Sequence, residues 1–417
     1  MVASRARPAA KKLKLGDILR DAFPTVWRVG WLGDHACSVL SRLSRCGTGE
    51  LGQLQFACGS CGAEEWRPLG CQDRHCPSCG VRKAEAWAAA RVEELIEAPY
   101  FHLVFTVPGE LYDVFRDNPE ELYGLFFSTV SETLATFAKD PRFLGGTPST
   151  FMVLHTTNRQ LGYHPHLHVV TAGAAFDEAT GRLVRVRKDD FLFPVRALAA
   201  SFRGRFLSAL RELAQADRLL WARPSIRHLA DPDHLKALLS TLFAKSWQVR
   251  TDAIAGGAER VIRYLARYTY RTAISNARLV RYESGEVTYT WRDRKTGARR
   301  VRTLPLLEFV RRFAEHILPK GFRRIRFYGL LSPAKRGTVL VKAQAEARHL
   351  SRLRGLPVPV ACSLEPEKPP AMCCTACGAE DLRAVAVLRG STFTVLNPHT
   401  YALPPPPTGR LQRREAS

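Results

Sequence analysis

The alternation of apolar and polar residues in the middle of the chain predicts a mixture of strands and helices. Short apolar or alternating runs, typical of strands, are YFHLVFTVP, FMVLH, LHVVTAG and RLVRVR. Runs with helical spacing of apolar residues predict two amphipathic helices, FPVRALAASFRGRFLSALRELAQA and DHLKALLSTLFAKSW. Further along, EVTYTWRDRKTGARRVRTL predicts a hairpin that turns at residues 295–297, followed by the helix PLLEFVRRFAEHIL.

These patterns divide the chain into three predicted domains. Residues 1–95 contain a first group of cysteines and end in the helical pattern RKAEAWAAARVEELIEA. Residues 96–330 carry the strands and helices described above. Residues 331–417 combine a basic helix, a second group of cysteines and a PPPP run that predicts a disordered tail. There is no GxxxxGK[ST] phosphate-binding loop, so we expect no fused helicase.

The charge of the chain favours a polyanionic partner. Its 417 residues include 62 Lys and Arg against 39 Asp and Glu, which gives a formal net charge of +23. Such a field attracts nucleic acid, whose phosphates dominate binding, although an ordinary basic protein is the alternative. No apolar run approaches the roughly 18 residues of a membrane span, and the N-terminus lacks the pattern of a secretory signal. We therefore expect a cytoplasmic protein with no membrane partner.

The cysteines predict zinc. Seven of the 11 lie at residues 37–79 and four at residues 362–377, a grouping that indicates metal rather than disulfides in a cytosolic chain. Two CxxC pairs, Cys58–Cys61 and Cys76–Cys79, are predicted to close one structural Zn²⁺ site with tetrahedral geometry. Nearby residues are expected either to form a second site or to exchange with these ligands, namely Cys46, Cys71 and His75. Arg74, beside them, suits contact with phosphate.

The second group of cysteines leaves two interpretations open. The motif CCTACG offers Cys373, Cys374 and Cys377, with Cys362 upstream. They form either half of a zinc ribbon, completed by Cys362 or by the N-terminal cysteines, or a set of cysteines without a metal.

Three histidines stand at alternate positions in GYHPHLHVV. Because alternate side chains of a strand share a face, His166 and His168 are expected to point together, while His164 is expected in the turn. The preceding strand ends at His155, which a hairpin would return beside the pair as a third ligand; Asn276 and Gln160 are weaker choices. Such a site with open positions suits a catalytic divalent cation, and a polar strand edge is the alternative.

A pair of tyrosines supplies a use for that cation. In AERVIRYLARYTYRTAISNARL, Tyr264 and Tyr268 are four residues apart and share one face of a helix. A stripe of arginines, expected to contact DNA, accompanies them: Arg260, Arg263, Arg267 and Arg271. A phenol can attack phosphorus while cations offset the developing charge, whereas packing of both rings in a core is the alternative.

Together these motifs resemble a known family. The elements CGSC…CQDRHCPSCG, YHPHLHVV and YLARYTYRTAISNARL are similar, in this order, to the zinc-binding HUH tyrosine transposases of bacterial insertion sequences, the insertion-sequence-91 family. One departure is the stretch GELGQLQFAC, where that family often has a histidine before the first CxxC.

The resemblance implies a fold and an activity. The expected fold is α+β, with an HUH endonuclease core of antiparallel sheet flanked by helices, an N-terminal zinc-ribbon-like domain and a small C-terminal region. The sheet would carry helices on one face and the histidines on a middle strand. His166 and His168 would hold Mg²⁺ or Mn²⁺, and Tyr264 and Tyr268 would attack single-stranded DNA to leave a 5′-phosphotyrosine and a free 3′-OH.

The implied partners are single-stranded ends of an insertion sequence and target DNA, with the protein at the bacterial nucleoid. The sequence leaves open whether the chain forms a homo-oligomer. Two other functions remain as alternatives, a rolling-circle replication initiator or relaxase with the same chemistry and a non-catalytic zinc-ribbon regulator. The lack of a helicase motif and the cysteine cluster favour the transposase.

Overall fold

The computed structural model describes residues 12–80, 91, 93–254, 261, 272–353 and 373–396. The chain divides into two compact units, which are Met1–Ser44 with Gln72–Glu367 and Arg45–Cys71 with Lys368–Ser417. These boundaries differ from the predicted domains 1–95, 96–330 and 331–417, because each unit combines segments from different predicted domains. Within the described ranges, no helix combines the length and the apolar character needed to cross a membrane.

The larger unit contains nine described α-helices and nine strands. The helices are α1 (Leu15–Val29), α2 (Asp34–Ser44), α3 (Tyr112–Asp117), α4 (Pro119–Lys139), α5 (Val195–Gln215), α6 (Pro232–Ala244), α7 (Leu306–Ala314), α8 (Pro333–Arg336) and α9 (Val339–Leu353). The strands are β3 (Tyr100–Thr106), β4 (Thr147–Thr157), β5 (Tyr163–Asp177), β6 (Arg182–Arg185), β7 (Gln248–Ile254), β8 (Leu279–Glu283), β9 (Glu286–Arg292), β10 (Arg299–Pro305) and β11 (Ile325–Gly329). Within residues 100–254 and 272–330, the predicted strands and helices are confirmed. The helix predicted to carry Tyr264 and Tyr268 lies mostly outside the described residues. The helix predicted at residues 82–98 lies mostly outside the described residues.

An antiparallel sheet of six strands forms the centre of this unit. Its order is β11-β4-β5-β3-β7, and β6 pairs with the far end of β5. Every pair is antiparallel, as predicted, and β5 lies between β4 and β3. The strand that carries the alternate histidines is therefore supported on both sides.

One face of the sheet packs against α4 and α5. Alternate residues of the strands, such as Phe105 and Leu167, meet Phe126, Phe202 and Phe206 of the helices in a core of fully buried side chains. Burial of one such aromatic side chain contributes about 1.5–3 kcal/mol. This aromatic layer supports the strands on the face of the sheet opposite the histidines.

The opposite face is covered over part of its length. Leu340, Ala343 and Ala347 of α9 pack in one buried cluster with Val170 and Ala172 of β5. The expectation of helices on one face only is therefore wrong, since α9, assigned from sequence to the C-terminal region, completes the second layer. The remaining part of this face carries the histidines.

A second, three-stranded sheet is formed by β8, β9 and β10 in the order β10-β9-β8. The predicted hairpin is present: β9 and β10 are joined by a turn in which the Asp293 side chain accepts hydrogen bonds from the backbone N–H groups of Lys295 and Thr296. Phe309 of α7 contacts Tyr289 of this sheet.

The smaller unit is a four-stranded antiparallel sheet with the order β13-β12-β1-β2. Its strands are β1 (Gln53–Cys58), β2 (Glu64–Pro68), β12 (Leu382–Arg389) and β13 (Thr392–Val395). The central pair joins β1 to β12, with Cys58 opposite Leu382. Segments from near the two ends of the chain thus make one sheet, which the hydrophobic pattern did not predict.

Candidate active site

Three histidines converge on the open part of the central sheet. In the β4–β5 hairpin His155 lies directly opposite His166, and Val153 lies opposite His168. The ring centroid of His155 lies 5.5 Å from that of His166 and 4.5 Å from that of His168. One nitrogen from each of the three rings falls within 4.8 Å of the others. The structure therefore brings together the three residues predicted as ligands of a divalent cation.

The turn between β4 and β5 sets this register. The side chain of Asn158 accepts hydrogen bonds from the backbone N–H groups of Gln160 and Gly162, and Leu161 adopts a left-handed conformation with φ of 60°. The pairing shifts between His155 and Thr157, which indicates a bulge of the kind that often re-aims side chains beside active sites. Turn and bulge together fix which side chains of β4 face those of β5.

Hydrogen bonds at the Nδ1 atoms orient two of the imidazoles. His166 Nδ1 lies 2.7 Å from the backbone carbonyl oxygen of His164, so this nitrogen carries the proton and donates it. Its Nε2 is left as the lone-pair donor. His168 Nδ1 lies 2.8 Å from His102 Nε2, so one of these two nitrogens donates to the other.

His102 is a fourth histidine of the site, and the sequence interpretation missed it. It lies on β3, buried beside β5, and its ring stacks on that of His168 with 5.0 Å between centroids. Burial lowers its pKa to about 4, so the ring is neutral at neutral pH. In the tautomer in which His102 accepts at Nε2, His168 donates from Nδ1 and its Nε2 carries the lone pair that a metal requires. The only sequence signal was a polar residue inside the apolar strand YFHLVFTVP.

His164 has a different role. The expectation that it lies in the turn is wrong, because β5 begins at Tyr163 and His164 belongs to the strand. Its Nδ1 forms a hydrogen bond with the hydroxyl of Tyr112, and burial lowers the pKa of the ring. The carbonyl group of His164, rather than its imidazole, supports the group of three.

The two weaker choices for the third ligand serve elsewhere. The Asn276 side chain accepts a hydrogen bond from the backbone N–H of Leu15 and donates one to Ser78 Oγ. Both ends of the amide are therefore engaged. Gln160 lies in the β4–β5 turn, where its backbone carbonyl accepts a hydrogen bond from the Tyr289 hydroxyl.

A small cavity beside His155 contains basic groups. Arg74 and Arg324 line it together with Thr272 and Ala273. Arg74, predicted from sequence to contact DNA, is half-buried and donates a hydrogen bond to the carbonyl oxygen of Phe322. The other residues predicted to contact or attack DNA lie outside the described residues, namely Arg260, Arg263, Tyr264, Arg267, Tyr268 and Arg271.

The cysteines are grouped differently from the prediction. In the smaller unit, Cys58 and Cys61 lie with Cys374 and Cys377, and their four sulfur atoms are all within 4.8 Å of one another. The prediction of a single site made from Cys58, Cys61, Cys76 and Cys79 is therefore wrong, because a spacing of fourteen residues does not determine which CxxC turns meet. The strand pairing of β1 with β12 brings the distant pair closer.

Of the further zinc ligands that the sequence suggested, His75 has a different role, whereas Cys46 and Cys71 lie close together. His75 is buried, its Nδ1 donates to Asp73 Oδ1 at 2.8 Å and its Nε2 accepts from the backbone N–H of Leu318 at 3.2 Å. With both ring nitrogens engaged, His75 is not placed to bind zinc, which corrects that expectation. In the smaller unit the backbone N–H of Cys71 donates to Cys46 Sγ at 3.4 Å.

Comparison with known proteins identifies two matching families. Residues 149–338 match the family described as "Putative transposase", and residues 18–107 match the family described as "Transposase zinc-binding domain". The first match contains the histidine hairpin, and the second contains both CxxC pairs of the N-terminal region. No solved structure matches the chain.

Two curated relatives cover most of the chain. A protein of Sinorhizobium fredii named "Putative transposase y4qJ" is 39% identical over 294 residues, which are 70% of this chain and 73% of that protein. The transposase for insertion sequence element IS801 of Pseudomonas savastanoi pv. phaseolicola is 28% identical over 319 residues, which are 75% and 74% of the two chains. The chain carries a zinc-binding domain, and it belongs to the insertion-sequence-91 family of transposases.

Proposed function

We propose that this transposase cleaves and rejoins single-stranded DNA at the ends of its insertion sequence through a 5′-phosphotyrosine intermediate. The observation that carries the proposal is the convergence of His155, His166 and His168 on the open part of the sheet. Cut-and-paste transposition by an acidic triad would need a cluster of carboxylates. Among the described residues, the group at this position contains imidazoles alone.

The donor set fits a divalent transition ion. With Nδ1 protonated on His166, and on His168 in the tautomer in which His102 accepts, the lone pair that binds a metal is on Nε2 of each ring. Three imidazoles without a carboxylate suit Mn²⁺ better than Mg²⁺, which prefers an all-oxygen shell. A bound cation would polarise the scissile phosphate and stabilise the charge that develops on its oxygens.

The nucleophiles of the proposal are Tyr264 and Tyr268. Thr272 lines the cavity beside His155, and Tyr268 precedes it by four residues. Because four residues span at most about 14 Å, the length of chain between Tyr268 and Thr272 allows Tyr268 to reach the cavity. The proposal places one of these phenols against the phosphate next to the histidines.

The reaction balances without a further reactant. The phenolic oxygen attacks phosphorus, the bond from phosphorus to the 3′ oxygen breaks, and the phenolic proton ends on the 3′ oxygen. The DNA on the 3′ side of the break stays joined to tyrosine through its 5′ phosphate, as a phosphodiester. Attack by a 3′-OH reverses the step and rejoins the strands, while Arg74 and Arg324 offset the phosphate charge.

Cleavage of labelled single-stranded DNA tests the proposed role of the histidines. With an oligonucleotide of the element end and Mn²⁺, the wild-type protein should form an adduct that resists denaturation. His166→Ala combined with His168→Ala should abolish the adduct and leave DNA binding within about twofold, because phosphate contacts come mostly from Arg and Lys.

The matched control is His164→Ala on the same strand face, which keeps the backbone carbonyl that supports His166. This variant should retain the adduct. An adduct of undiminished yield in the double variant would refute the proposed metal site, and equal loss of binding would show that the histidines act in DNA recognition instead.

A further inference from the structure

The two CxxC pairs of the smaller unit come from opposite ends of the chain. Cys58 and Cys61 lie at the turn between β1 and β2, while Cys374 and Cys377 precede β12. The sheet joins the two segments, since β1 pairs with β12 in antiparallel register. In sequence, residues 72–367 of the larger unit lie between them.

The two turns have the same backbone hydrogen bonds. In CGSCGA, the N–H of Gly62 donates to the Cys58 carbonyl, and the N–H of Cys58 donates to the Ala63 carbonyl, both at 2.9 Å. In CTACGA, the N–H of Gly378 donates to the Cys374 carbonyl at 2.9 Å, and the N–H of Cys374 donates to the Ala379 carbonyl at 2.8 Å. Both glycines are left-handed, with φ of 69° and 76°. Each turn therefore presents its two thiols in the same way.

The sulfur atoms have the spacing of a tetrahedral metal site. Cys58 Sγ lies 3.7 Å from Cys377 Sγ, and Cys61 Sγ lies 3.7 Å from Cys374 Sγ. A tetrahedral ion with Zn–S bonds of about 2.3 Å requires sulfurs about 3.8 Å apart. A disulfide would need about 2.05 Å, so the arrangement fits a shared ion and not two cross-links.

Contacts around the turns hold them together independently of the sulfurs. The Thr375 hydroxyl donates to Glu65 Oε2 at 2.8 Å, and the Arg67 guanidinium donates to the Cys373 carbonyl at 3.1 Å. The N–H of Gly59 donates to the carbonyl of Asp381, and a side chain at Gly59 would collide with the Asp381 carboxylate. These contacts hold the two turns together without any bond between the sulfur atoms.

We propose that Cys58, Cys61, Cys374 and Cys377 bind one structural Zn²⁺ and make a zinc ribbon from the two ends of the chain. The ion closes a loop that contains residues 72–367 of the larger unit. The N-terminal zinc-binding domain is therefore incomplete without the C-terminal CxxC.

Zinc content of the purified full-length protein, measured by native mass spectrometry, tests this site. Replacing Cys58 and Cys61 by Ser should remove one zinc per chain, and replacing Cys374 and Cys377 by Ser should also remove one. The variant with all four replacements should still lose only one, because the pairs share the ion. Cys373→Ser, the adjacent cysteine outside the group, should lose none.

Loss of two ions by the fourfold variant, or full zinc content after replacement of Cys374 and Cys377, would overturn the proposal. A measurement on the wild-type chain covers the case in which a variant fails to fold. Removal of zinc by a chelator under reducing conditions should expose the four cysteines to alkylation together. Alkylation of Cys374 and Cys377 at the same rate before and after chelation would equally overturn the proposal.

Discussion

At the scale of the residue, the site depends on which nitrogen of each imidazole carries the proton. The Nδ1 of His166 donates a hydrogen bond to the backbone carbonyl of His164, and the Nδ1 of His168 forms a hydrogen bond with Nε2 of His102. Parity along one strand was enough to predict that His166 and His168 share a face, and a hairpin was enough to add His155. His102 escaped prediction because its strand is not adjacent to β5 in sequence.

A buried histidine beside the site predicts loss of stability in acid. Burial lowers the pKa of His316 to about 3, below the value of about 6.5 for the unfolded chain. Its contribution is therefore complete above pH 6.5 and falls as the pH drops towards 3, by at most about 1.4 kcal/mol per pH unit. His316→Gln should give a shallower decline in the free energy of unfolding between pH 6 and about 4.5.

The control is His228→Gln, because His228 is exposed. Denaturant unfolding of the three proteins across this range measures the slopes. Equal slopes in wild type and His316→Gln would show that His316 does not titrate with folding.

At the scale of the element, the β4–β5 hairpin converts sequence spacing into a site. A slip of one residue in pairing would move every side chain of β5 to the other face. Asn158 opposes that slip, since its side chain closes the turn and its backbone N–H donates to the Gly162 carbonyl at 2.9 Å. Pro165 lies beside the bulge and directly precedes His166, which pairs with Thr106 at the end of β3. A residue without a backbone N–H disrupts the hydrogen bonds of a sheet least at such a position.

Asn158→Ala should therefore weaken metal binding more than it weakens the fold. Loss of the side-chain acceptor should lower stability by about 1 kcal/mol and Mn²⁺ affinity on the order of tenfold, because the hairpin orients two ligand strands. Titration of Mn²⁺ followed by electron paramagnetic resonance measures the affinity.

Asp177→Ala is the matched control. Asp177 closes the turn at the other end of β5, where it accepts from the Ala179 N–H and the Thr180 hydroxyl. This variant should bind Mn²⁺ as the wild type does. Equal affinity in Asn158→Ala and the wild type would contradict the role given to the turn.

Some elements followed from periodicity and others did not. The strands β3 to β6 and the β9–β10 hairpin were predicted because each carries its own alternation and turn residues. Helix α4 was overlooked, although PEELYGLFFSTVSETLATFAK has helical spacing of apolar residues and a proline at its first turn. The pairing of β1 with β12 did not follow from periodicity, because local patterns do not report contacts between segments so far apart. The cysteines gave the one hint, since a ribbon shared with the N-terminal cysteines was among the alternatives left open.

At the scale of the whole molecule, the two units contain different sites. The segments of the smaller unit lie before and after residues 72–367 of the larger one, and they hold the four cysteines of the proposed ribbon. The larger unit holds the histidines and, in its sequence, the paired tyrosines. A net charge of +23 favours binding to DNA, on which a transposase acts, because basic groups supply affinity for phosphate whatever the base sequence.

The central claim is that a tyrosine of this chain becomes covalently joined to DNA at the histidine site. The most direct measurement is mass spectrometry of the adduct formed with single-stranded element-end DNA and Mn²⁺, after digestion of both protein and DNA. The account predicts a nucleotide joined through its 5′ phosphate to Tyr264 or Tyr268. It also predicts no adduct from Tyr264→Phe combined with Tyr268→Phe. Tyr270→Phe, which replaces the third tyrosine of the same motif, should leave the adduct unchanged, because a residue two positions from Tyr268 points off the face that Tyr264 and Tyr268 share on a helix. A nucleotide joined to any other residue, or an adduct that survives the double replacement, would contradict it.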